Sequence, residues 1–284
     1  MKGRSLIEAS CCVLAVLLSY GELAAAQSPQ GSTAQQQENK HVKPADAVNM
    51  LELPPNAEEE SALKAFLAMP PNDLDAKINA GEEFLKKYPQ SHLLPSVYSA
   101  LTLAYLRAGK PDQAFEVGDK EVKLRPDDVE TLALLSLTIP RAVSPKTPDP
   151  DKQLAKAENY ARRAIEVTPT LLKPDGITDQ NFVISKNSAL SMAHGGLGLV
   201  YFREAKFQEA IPELEQSIKI DPNPTPDPVN LYALALSDQK AARYEDATAA
   251  FSRCAAIAGT LQTTCRDGAE QAKKQSATQL SAPK

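Results

Sequence analysis

Residues 191–224 read SMAHGGLGLVYFREAKFQEAIPELEQSIKIDPNP. Two amphipathic helices fit this stretch, with a break around Ala205 and Lys206. Leu197, Tyr201, Leu214 and Ile218 recur at helical spacing and form facing apolar stripes. Gly198, Ala210 and Ser217 are small where two helices must touch. Pro222 stops the second helix, because proline cannot donate the helical bond. The spacing is specific: Ala210 lies twelve residues after Gly198, Ser217 nineteen and Pro222 twenty-four.

This pattern resembles the tetratricopeptide repeat, a helix–turn–helix unit of about 34 residues with small residues at set offsets and a late proline. The resemblance implies an all-α chain, built as a right-handed superhelical solenoid of antiparallel helix pairs. It covers roughly residues 57–261 and is clearest in the last two repeats. Repeats are expected at about 57–91, 95–128, 129–171, 191–224 and 228–261, with a capping helix at 262–275 and a frayed tail at 276–284. Small packing residues continue the pattern on either side: Ala157, Ala161 and Ala164 before it, then Ala235, Ala247 and Cys254 after it.

Composition agrees with helices. Among 284 residues there are only 12 glycines and no tryptophan, and β-branched residues rarely alternate. The net charge is −5, with both signs mixed. Such a balance gives no electrostatic reason to bind nucleic acid or an anionic membrane.

Residues 1–26 read as a signal peptide. Lys2 and Arg4 form a positive head, residues 9–20 a short apolar run, and Ala24, Ala25 and Ala26 a small-residue cleavage site. The alternative is an uncleaved anchor, although the run is short for a span. Cleavage leaves no transmembrane segment and places the chain in the periplasm or outside the cell. Residues 27–56 lack an apolar period and read as a flexible tether. Two cysteines then remain, Cys254 and Cys265. An oxidising compartment allows a disulfide between them. A plain buried thiol at Cys254 is the other reading.

Along the array, Asp73 or Asn72 caps a second helix, and Pro111 opens a fourth. Asp127 caps a helix, with Glu130 reaching back. Prolines 140, 145, 148 and 150 break that repeat, and Asp149-Pro150 starts its second helix. A second inserted loop occupies residues 172–190, its apolar end at Phe182, Val183 and Ile184 already belonging to the next helix. Pro212 removes one bond inside a helix.

Little here points to catalysis. The three histidines, His41, His92 and His194, are scattered, and His194 falls at a packing position. Residues 194–198, HGGLG, have a loop-like composition but lie mid-helix, where the N–H groups are already used. Two cysteines without a nearby histidine make a poor metal site. We therefore expect no enzyme activity, cofactor or metal.

In the resembled family, first helices line a concave groove that grips peptides or helices. The matching positions are Leu103, Leu106, Leu137, Met192, Leu199, Phe202, Tyr232 and Leu236, a mostly apolar set. The resemblance thus implies a protein–protein interaction scaffold whose partner offers an amphipathic helix or aliphatic peptide. Alternatives are an adaptor associated with an envelope assembly or secretion complex, and, less so, an accessory to a hydrolase that uses the inserted loops.

Overall fold

A computed structural model describes residues 56–144 and 146–281. These residues form eleven α-helices and no strand. They divide into two compact units, parted between Pro126 and Asp127. The expected signal peptide and most of the expected tether lie outside the described residues.

The first unit holds α1 (Ala57–Leu67), α2 (Leu74–Lys87), α3 (Leu94–Arg107) and α4 (Pro111–Leu124). Asn56 caps α1 by accepting from the Glu58 N–H, and Glu58, Glu59 and Glu60 fill its first turn, where carboxylates suit the helix dipole. Asp73 caps α2 by accepting from the Ala76 N–H. Pro111 opens α4 at a position where a missing N–H is harmless. The core gathers Phe66, Ile78, Phe84, Val97, Leu101 and Tyr105. Gly81 permits a close approach of α2 to α3: a Cβ there would sit 2.6 Å from Leu101.

The second unit holds α5 (Val129–Ala142), α6 (Pro150–Val167), α7 (Asp179–Arg203), α8 (Phe207–Ile220), α9 (Pro228–Lys240), α10 (Tyr244–Ala255) and α11 (Gln262–Ser281). Each helix packs on the next in the chain, and α7 also touches α5 and α9. Its core runs from Leu137 through Leu199, Leu214, Leu231 and Phe251 to Ala272.

Three helix-to-helix turns share one geometry. Gly109, Ala205 and Ala242 are left-handed, with φ of 68°, 58° and 60°. The next N–H in each returns to the preceding helix: Lys110 to the Tyr105 carbonyl, Lys206 to Tyr201, and Arg243 to Asp238. This is the Schellman arrangement, which satisfies carbonyls that a helix end leaves open. Only the first turn uses glycine, the residue that adopts the left-handed region without strain.

Several sequence expectations are corrected. Asp128, not Asp127, caps α5, accepting from the Thr131 N–H at 2.9 Å. Asp127 instead pairs with Arg163 at 2.5 Å. Pro140 does not end α5, which continues to Ala142. Asp149 precedes α6 in a left-handed conformation, and its side chain makes no capping bond. The loop expected at 172–190 shrinks, because Thr178 caps α7 and Asp179 already begins it. The first helix of the clearest repeat is therefore 25 residues long. At the C-terminal end α11 reaches Ser281 and absorbs much of the tail expected to fray.

Candidate partner-binding surfaces

The packing residues named from the sequence are all buried. Ala157, Ala161, Ala164, Ala210, Ala235, Ala247 and Cys254 have no exposed surface, and Ser217 almost none. A Cβ on Gly198 would meet the Leu214 side chain of α8 at 2.6 Å. Cys254 and Cys265 are joined by a disulfide, with their Cα atoms 5.8 Å apart. It ties α10 to α11, whose Gly268 lies under the Phe251 ring.

The HGGLG run sits within α7, with its glycines turned into helix contacts. A Cβ on Gly196 would fall 2.5 Å from the Ser136 carbonyl oxygen of α5. Pro140 has no N–H, so it leaves that carbonyl without the bond that residue 140 would normally donate. The Gly196 Cα–H fills this direction and offers a weak donor. A Cβ on Gly195 would meet Asn230 Nδ2 at 2.5 Å and Ser217 Oγ at 2.9 Å. Sequence reasoning identified these glycines as packing residues but not what they pack against.

Gly195 borders a buried polar chain that the sequence did not announce. Arg141 donates to Asp227 Oδ2 at 2.7 Å and to Asn230 Oδ1 at 3.0 Å. Asn230 Nδ2 donates to Ser217 Oγ, and Ser217 Oγ donates to the Ser191 carbonyl at 2.7 Å. Four helices and one cap are thereby linked, and each of these side chains gains at least one partner that offsets part of its desolvation. His194 is an inter-helix contact too, its Nδ1 lying 2.6 Å from Glu213 Oε2.

The expected groove is only partly open. Leu103 is 40% exposed and Leu106 half-buried on α3 of the first unit. In the second unit Leu137 and Leu199 are core residues, with 6% and 4% exposure. They therefore do not line a groove, because the glycine pair lets α7 close onto α5. Met192, Phe202, Tyr232 and Leu236 are half-buried, their inner sides packed on the core. The Tyr232 ring stands edge-on to Phe251 at 6.1 Å, and burial raises its hydroxyl pKa. At the end of α7, Arg203 donates to the Val143 carbonyl, and burial lowers its pKa.

A second apolar surface lies elsewhere. Among the described residues the exposed large apolar side chains are Leu67, Leu103, Leu172, Ile177, Val183 and Ile184. The last four belong to the start of α7 and the loop before it. A buried acid was also missed: the Asp238 carboxyl, 2% exposed at the end of α9, lies 3.2 Å from Arg243 Nε. Burial pushes its pKa up to about 6, with Asp246 and Glu215 adding to the rise and Arg243 opposing it.

Among the described residues, no helix is long and apolar enough to cross a membrane. Residues 193–224 match the model of the tetratricopeptide repeat. No curated protein matches the chain. Among solved structures, the chain is similar to PilW, a widely conserved type IV pilus biogenesis factor. The two are 15% identical over 79% of this chain and 93% of that one, with a TM-score of 0.51. It is also similar to a thermophilic tetratricopeptide-repeat protein of Thermus thermophilus. There the identity is 20% over 75% of this chain and 98% of that one, with a TM-score of 0.47. Pseudomonas aeruginosa PilF is 16% identical over 76% of this chain and 89% of that one, with a TM-score of 0.49. The chain thus has the all-helical fold of tetratricopeptide-repeat proteins, and its residues 193–224 match the repeat itself.

Proposed function

We infer that the protein is a non-enzymatic scaffold that binds another protein through the first helices of its last two repeats. The observation that carries this reading is the half-exposed apolar set on α7 and α9: Met192, Phe202, Tyr232 and Leu236. Helices held in place by a packed core present such side chains already ordered, so little entropy is lost when an amphipathic helix or aliphatic peptide docks. We further infer an exported chain, periplasmic or secreted. The apolar leader with its small-residue site supports this, as does the Cys254–Cys265 disulfide, a bond that persists in oxidising compartments.

The test is photo-crosslinking from position 236 in the native host. A discrete partner protein should be captured, and Phe202→Asp should abolish that capture while the helical spectrum stays intact. Equal capture by a folded Phe202→Asp chain would refute the binding surface. Thiol trapping before cell lysis tests location: Cys254 and Cys265 should resist alkylation until reductant is added. Immediate labelling would contradict export. Association with an envelope assembly complex, the alternative adaptor role, would appear as a membrane-bound pool of the captured pair.

A further inference from the structure

Two like charges meet in the first unit. The half-buried Lys77 of α2 holds its ammonium 5.8 Å over the Phe66 ring of α1, and Arg107 at the end of α3 is close enough to repel it. Burial, and then the Arg107 charge, lower the Lys77 pKa. The nearest acids along α2 are committed elsewhere: Asp73 accepts from the Ala76 N–H, and Asp75 lies 4.0 Å from Lys110. Among the described residues no acid pairs with Lys77 or Arg107.

Exposed leucines border this pair. Leu67 follows Phe66 on α1 and is 47% exposed, and Leu103 lies one turn before Arg107 on α3 and is 40% exposed. An apolar surface beside two uncompensated cations is matched by an aliphatic segment that carries acids.

Such a segment is joined to α1 itself. Residues 45–53, ADAVNMLEL, are the most apolar part of the expected tether and carry two acids, Asp46 and Glu52, and no base. Asp46 stands ten residues before the cap Asn56, about 33 Å of extended chain, whereas the 11 residues of α1 span about 17 Å. The segment is therefore long enough to turn back and follow α1 to its far end. Covalent attachment sets a local concentration of about 1 mM, so a contact too weak to hold two separate chains is occupied here.

We propose that residues 45–53 fold back onto the first unit, with Val48, Met50 and Leu51 against Leu67 and Leu103, and the Asp46 carboxylate between Lys77 and Arg107. The chain then fills its own groove position at Leu103, and the first helices of the last two repeats are left for another protein.

A photo-crosslinker at position 103 of the purified full chain tests this, with the linked peptides mapped by mass spectrometry. At about 1 μM, far below the local concentration of an attached segment, the label should join residues 45–53 of its own chain. Asp46→Lys should lower that yield at least about fivefold and leave the helical spectrum unchanged, since residue 46 precedes the first helix. Lys77→Glu with Arg107→Glu should lower it as much, and adding Asp46→Lys to that pair should restore it. A label that joins another region, a second copy or nothing would overturn the proposal. So would a yield indifferent to Asp46→Lys, or a failed rescue in a folded chain.

Discussion

Gly196 is the residue on which the close approach of α7 to α5 depends. A methyl group there would fall 2.5 Å from backbone atoms of Ser136, which cannot rotate aside as a side chain can. Gly196→Ala should therefore destabilise the second unit by about 3 kcal/mol, the upper end of ordinary overpacking. Urea denaturation checks this, and an unchanged midpoint would show that α5 and α7 are not in contact here. Asp238 makes a prediction of a different kind. Its pKa, pushed up to about 6, lies above that of an unfolded aspartate, so the folded chain binds this proton more tightly. The resulting stability is fully present below about pH 4 and is lost as pH rises through about 6. Asp238→Asn should remove that slope. Its stability relative to the native chain should improve by up to about 3 kcal/mol between pH 4 and pH 7, measured by denaturation at each pH. A difference independent of pH would mean that the carboxyl is solvated.

At the scale of elements, the Schellman turns supply the next test. Ala205 and Ala242 occupy a left-handed conformation that costs L-residues about 1–2 kcal/mol, while glycine adopts it freely at some cost in chain entropy. Ala205→Gly and Ala242→Gly should each stabilise the chain by about 0.5–1 kcal/mol, and Gly109→Ala should do the reverse. Thermal unfolding reads all three. The disulfide belongs to this scale too, because it closes an 11-residue separation between α10 and α11. Replacing both cysteines with alanine should cost about 3 kcal/mol by the loop-entropy account. Hydrogen exchange should show α11 losing protection before α9. Uniform loss across the unit would instead make the bond a general brace. The helices themselves were legible where an amphipathic pattern met a proline or a capping acid, as at Pro111 and Asp73. The end of the 172–190 segment was legible too, since Phe182, Val183 and Ile184 do lie in α7, but the start of that helix at Asp179 was not, because Thr178 looks like any loop threonine and the turns after it bury few side chains. Pro140 misled for another reason. Proline ends a helix in isolation, but α5 is nearly buried on every side, and packing holds its last turn.

For the whole molecule, the repeat arrangement could be read from small residues alone, since Gly198, Ala210 and Ser217 have no other reason to recur at those offsets. The candidate groove was less legible. Leu137 and Leu199 occupy groove positions by register, yet the adjacent Gly195 and Gly196 draw the helices together and bury them. Register alone does not say how tightly two first helices approach, so half-exposed Phe202 and buried Leu199 look alike in the sequence. The central claim is that α7 lies against α5 through Gly196 and against α8 through Gly198. The most direct measurement is a nuclear Overhauser spectrum of the labelled chain. Cross-peaks are predicted from the Gly196 α-protons to Ser136 and from the Gly198 α-protons to the Leu214 methyl groups. Their absence in a folded, helical chain would contradict the account.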